Sequence, residues 1–110
     1  MRVLHMIEAA ESVLEFMADR PRADLDRDRM LLFALLRAIE VVGEAAGKVS
    51  EDTRARHPDI PWTAIVGMRN RLIHGYFDID TDIVWKTVSQ EIPLLLTRLR
   101  AVATIGRDGR

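Results

Sequence analysis

The chain has no cysteine, which removes disulfides, thiolate metal sites and thiol catalysis together. Aromatic residues make up 5% of it, with a single tyrosine and two tryptophans. No apolar run is longer than the seven residues 30–36, far short of the roughly 20 that a membrane-spanning helix needs. The opening MRVLHMIEAA is broken by His5 and Glu8, where a signal peptide requires an uninterrupted apolar stretch. The six glycines never fall in GxGxxG or GxxxxGK(S/T) order, so the phosphate-cradling loops are excluded. GxSxG and HExxH are also missing, and the three histidines, His5, His57 and His74, stand far apart in sequence; no metal site is expected from them. Neither charge dominates, with 16 Lys+Arg against 17 Asp+Glu and a net charge of −1. That balance argues against a protein that holds nucleic acid by bulk positive charge. What is present is 48% hydrophobic residues in 110, enough for one compact domain with its own core. A cytoplasmic location is expected.

The apolar periodicity is helical almost everywhere. Val3, Met6, Ile7, Ala10, Val13, Leu14 and Met17 recur three and four apart while Glu8, Glu11 and Glu15 avoid that stripe, predicting a helix over 2–19. Arg20-Pro21 ends it, and ADLDRD at 23–28 reads as a charged connector. A second helix is predicted over 28–48. Its first half is apolar on every side, so one face is left over, either for the chain's own core or for a second copy of the chain. Gly43, Ala45, Ala46 and Gly47 form a small-residue stretch where another backbone can approach closely. A short helix is expected over 50–57, with His57 as a terminal cap before Pro58. A third helix begins near Trp62 and frays at Gly75. The acidic run 78–82 supplies N-caps for a last helix over 81–103, kinked at Pro93. The expected domain is 1–104, with 105–110 a disordered tail.

One segment stands apart. Residues 60–77, IPWTAIVGMRNRLIHGYF, contain no acid but hold Arg69, Arg71, His74, Asn70 and Tyr76. The net charge of −1 therefore divides into +2 here and −3 elsewhere. On a continuous helix Asn70 and His74 share a face one turn apart, with Arg69 beside them and Arg71 pointing elsewhere. A structural account is a helix C-terminus whose cations meet the last carbonyls and the dipole. A functional account is phosphodiester chemistry on RNA: histidine exchanges a proton near neutral pH, and arginine holds phosphate oxygens and the charge that grows on them. One histidine is scarce for acid and base roles together; a symmetric dimer supplies two. Glu40 and Glu44, one turn apart on the second helix, read as surface or arginine-pairing residues. His5 reads as a solvated surface residue.

The run Arg69-Asn70-Arg71-Leu72-Ile73-His74-Gly75-Tyr76 resembles the RxxxxHxY signature of the HepT-like toxins, a branch of the HEPN superfamily of small all-helical ribonucleases. The flanks WTAIVGM at 62–68, FDID at 77–80 and Val84-Trp85 match as well, as do Ile39-Glu40 and Gly43-Glu44-Ala45-Ala46 on the second helix. The resemblance covers roughly residues 1–100. It implies an all-α bundle of four main helices plus a short one, assembled as a symmetric homodimer. It further implies a metal-independent endoribonuclease toxin without cofactor, acting on RNA such as tRNA or mRNA, with Arg69 and His74 as the catalytic pair and Asn70 as a polar helper. Tyr76 is then the residue that a minimal nucleotidyltransferase antitoxin, in a type VII-like system, modifies with AMP. The alternative from another class is a non-catalytic module that binds nucleotide or the nucleotidyltransferase.

Overall fold

Apolar residues at every third or fourth position give helices through most of the computed structural model, which describes residues 2–73 and 78–108, with side chains through residue 104. Helix α1 (Arg2–Met17) buries Met6, Ala10 and Val13 and turns Glu8, Glu11 and Glu15 outward. It stops as expected before Pro21, where Asp19 takes the left-handed conformation (φ 59°) that ends many helices.

The predicted connector at 23–28 is a correction: it forms one short helix, α2 (Asp24–Arg27). Leu25 is buried there, and ion pairs tie the turn down on both sides. Arg20 reaches Asp24 at 2.7 Å and Asp28 at 2.6 Å, while Arg22 pairs with Asp26 at 2.7 Å and also with Asp82.

Asp28 then caps α3 (Arg29–Gly47), its Oδ1 accepting the Leu31 N–H at 3.0 Å. That backbone bond, followed by Arg20, holds the Asp28 carboxyl below its ordinary range, and Arg22, then Thr81, does the same for Asp26. Carboxyls depressed in the fold stabilise it fully above the unfolded pKa and lose that contribution as pH falls through the folded one. Thermal melts are therefore expected to worsen below about pH 4. Asp28→Asn, which still caps but does not titrate, should flatten part of that acid limb.

Helix α3 is the centre of the bundle, burying Leu35, Ile39, Val42 and Ala46 and touching α1 and α2. The face left over is real: Met30 is 84% exposed and Phe33 51%, the Arg29 guanidinium standing 5.4 Å from the Phe33 ring centre. Ser50 caps the short helix α4 (Glu51–Arg56). His57 ends it as expected: its N–H donates to the Arg54 carbonyl, and its own carbonyl accepts Trp62 Nε1–H at 3.1 Å.

The third predicted helix is two pieces, α5 (Trp62–Val66) and α6 (Met68–Leu72). Gly67 (φ −89°, ψ 4°) breaks it, donating its N–H back to Thr63. Helix α6 ends before Gly75, because Ile73 is extended (φ −122°, ψ 120°) and pairs with Ile79 in an isolated antiparallel bridge. The Asp80 N–H donates to the Leu72 carbonyl at 2.8 Å, tying the chain on either side of residues 74–77.

Asp80 then caps α7 (Thr81–Lys86), accepting the Ile83 N–H. The kink expected at Pro93 takes the form of a π-helical turn, Thr87–Glu91, before α8 (Ile92–Asp108). The Ile92 N–H donates to Thr87, five residues back. One extra residue in that turn accommodates a ring that can neither donate nor fit against the carbonyl four residues earlier. Helix α8 runs on to Asp108, past the boundary at 104 expected from sequence; residues 109 and 110 lie outside the described residues. Ile92, Leu96 and Leu99 of α8 complete the core, and α8 packs along α1. The architecture is the all-α bundle expected. No helix among the described residues is long and apolar enough to cross a membrane.

Candidate functional site

Helices α5 and α6 carry the acid-free segment, and a glycine decides where they sit. A Cβ on Gly43 of α3 would lie 3.1 Å from the Ile65 carbonyl oxygen and 3.3 Å from that of Val66. A side chain there would require the α5 backbone to give by a few tenths of an ångström, so glycine suits this close approach. The small-residue stretch thus receives a backbone of the same chain. Gly47, one turn on, is looser: a Cβ there would meet Val66 Cγ2 at 3.9 Å.

With α5 seated at Gly43, α6 is brought beside Glu40, one turn earlier on α3. Arg69 Nε stands 3.1 Å from Glu40 Oε2. The other oxygen of that carboxylate, Oε1, accepts from Arg37 Nη1 at 2.7 Å, and Arg37 also reaches Glu44 at 3.5 Å. The hydrogen bond to Glu40, and then the two carboxylate charges, raise the Arg37 pKa above its ordinary value. Arg69 remains 51% exposed and Glu40 30%. In that much solvent an ion pair adds little stability.

Asn70 is exposed on α6, its backbone N–H donating to Gly67 at 3.1 Å. Arg71 points away as expected and pairs with Glu91 of the π-turn at 3.3 Å. His74 and Tyr76 lie outside the described residues. The helix-face argument that joined Asn70 to His74 does not carry over, because α6 stops at Leu72 and Ile73 is extended. The described residues therefore bring Arg69 and Asn70 to one short helix and add Glu40. Sequence spacing read Glu40 and Glu44 alike, as surface or arginine-pairing residues, and did not place Glu40 in the site.

Beside Arg37, α1 and α3 border a groove of about 520 Å³ lined in part by Ser12, Phe16, Ala34 and Val41, with His5 exposed at its edge. Among the described residues no three histidine, aspartate or glutamate side chains are grouped to hold a metal ion.

Comparison with known proteins agrees with the motif. The family model for HepT-like ribonucleases matches residues 6–102. A protein of Methanocaldococcus jannaschii whose name proposes it as an RNase is 36% identical over 88% of this chain and 89% of its own. A protein of Thermococcus cleftensis named as a probable ribonuclease HepT is 41% identical over 80% of each chain. A third, from Caldanaerobacter subterraneus subsp. tengcongensis and likewise named by proposal as an RNase, is 33% identical over 89% of this chain and 88% of its own. No solved structure matches significantly. With a family model spanning nearly the whole all-helical chain and relatives of matching length, the chain belongs to the HepT-like ribonuclease family of the HEPN superfamily.

Proposed function

We propose that the protein is a metal-independent endoribonuclease toxin working as a homodimer. The observation that carries this is Arg69, the first residue of the Arg-x4-His-x-Tyr pattern, held half-exposed by a carboxylate on its Nε. A guanidinium so placed offers its donors to a phosphate. In the reaction, His74 takes the proton from an RNA 2′-hydroxyl as its oxygen attacks the adjacent phosphorus. Arg69 stabilises the negative charge gathering on the non-bridging oxygens. The 5′-oxygen leaves with a proton from the second histidine of the dimer, producing a 2′,3′-cyclic phosphate and a 5′-hydroxyl. Asn70 supports the phosphate as a neutral donor.

Control falls to Tyr76. A minimal nucleotidyltransferase antitoxin transfers AMP from ATP to the phenolic oxygen, releasing pyrophosphate. The added phosphate places bulk and negative charge in the Arg69–His74 motif and repels RNA.

The test is cleavage of RNA by purified protein in excess chelator. Cyclic phosphate ends are expected from the wild type and none from His74→Ala; persistent cleavage by that variant would sink the assignment. Incubation with ATP and the cognate nucleotidyltransferase should add mass in multiples of AMP, and Tyr76→Phe should stay unmodified. Intact, modifiable protein that cleaves nothing would favour the non-catalytic binding module.

A further inference from the structure

We propose that Glu40 is a positioning residue for the ribonuclease reaction, aiming the Arg69 guanidinium at the scissile phosphate; the inference rests on the nuclease reading above. The carboxylate is shared between two cations, Oε1 with Arg37 Nη1 at 2.7 Å and Oε2 with Arg69 Nε at 3.1 Å. Arg37 therefore orients the carboxylate, and the carboxylate orients Arg69. A guanidinium presents two edges for paired donation, one through Nε and one through its two terminal nitrogens. The ion pair is made on the Nε side, and among the described residues no carboxylate pairs with the two terminal nitrogens, which leaves them for a phosphate.

The arrangement spans separate helices, α3 and α6, and neither end is buried. Holding the bundle together would be a poor use of such an exposed pair. Fixing a rotamer of a long, flexible side chain is a better one, because a small misplacement of a reacting group costs rate steeply. Glu40 also carries a negative charge near the place where RNA must come. A residue present only for binding would not be acidic there; a residue that aligns Arg69 accepts that repulsion in exchange for geometry.

This predicts a division between turnover and binding. Glu40→Ala should lower kcat by about tenfold or more while RNA affinity stays equal or tightens, since a negative charge has been removed. Binding is read with an RNA whose 2′-hydroxyls are methylated, so that no cleavage intervenes. Glu40→Gln, which keeps an oxygen of the same reach beside Arg69 without the charge, should recover part of the turnover. Arg37→Ala should give a smaller loss of kcat, and Glu44→Ala, which meets Arg37 rather than Arg69, should behave as wild type. Thermal melts of all variants accompany the kinetics. The inference is overturned if Glu40→Ala turns over like wild type, if its turnover, affinity and melting temperature all fall together, or if Glu40→Gln is no better than alanine. A wild-type protein that cleaves no RNA overturns the nuclease reading and this inference with it.

Discussion

Replacing Arg69 with alanine is expected to slow RNA cleavage by about 10²–10³-fold, the usual loss when one donor to a developing oxyanion is removed. The charge it must meet grows on phosphate oxygens in the transition state, so the loss should appear in the chemical step. Binding should change less. With one fewer cation near the backbone, the slope of log affinity against log salt should shrink by about one. Arg69→Lys should recover only part of the rate, because an ammonium keeps the charge without the planar fork that Glu40 orients. Arg71 supplies the internal comparison: it is committed to Glu91, and Arg71→Ala should leave cleavage nearly unchanged. Single-turnover rates on a short RNA, with a thermal melt of each variant, measure all of this. A near-wild-type rate for Arg69→Ala in a folded protein would remove Arg69 from the chemistry.

The second large effect is structural and lies at Gly43. Alanine there puts its Cβ 3.1 Å from the Ile65 carbonyl oxygen, and what must yield is backbone rather than a flexible side-chain tip. Overpacking of this kind costs about 1–3 kcal/mol, against which the better helix propensity of alanine returns up to about 1 kcal/mol. The expected net result is a loss of stability, visible as a drop of several degrees in melting temperature, and larger for Gly43→Val. Gly47→Ala has the opposite sign: its Cβ meets Val66 at an ordinary 3.9 Å, so the propensity gain should show as equal or slightly raised stability. Because α5 and α6 ride on Gly43, Gly43→Ala should also slow cleavage beyond any loss of folded protein, by moving Arg69 relative to Glu40.

The pattern of what sequence could reveal follows from the range of the forces involved. Periodicity exposed α1 and α3 nearly to their ends, since amphipathic spacing and Pro21 act within a few residues. The cap at Asp80 and the outward turn of Arg71 were legible for the same reason. The small-residue stretch around Gly43 announced a close approach, but its partner, α5, is fixed only by packing more than twenty residues away in sequence. Local rules also failed at Gly67, where a tolerated helix glycine proved to be a break, and at Ile73, where pairing with Ile79 overrode the helical pattern. The short α2 was hidden because ion pairs reaching from Arg20 and across to Asp82, not its own spacing, hold it. In the candidate site, Arg69 and Asn70 were found by composition and motif. Glu40 was not told apart from Glu44 by its place on α3, because its pairing with Arg69 joins two helices and no spacing encodes it.

The π-turn at Thr87–Glu91 has a bearing on how one rod can serve two neighbours. An additional residue within a helix advances everything beyond it by about 100°, slightly more than a quarter turn. The apolar stripe of α7, with Val84 buried, is thereby out of phase with that of α8, where Leu95, Leu96 and Leu99 face inward. Helix α7 packs on α2 and α6, while α8 packs on α1. A strictly regular helix would hold both stripes in a single phase and satisfy only one of those directions well. The phase step lets the same stretch of chain brace α6, which carries Arg69, and still close the far side of the bundle.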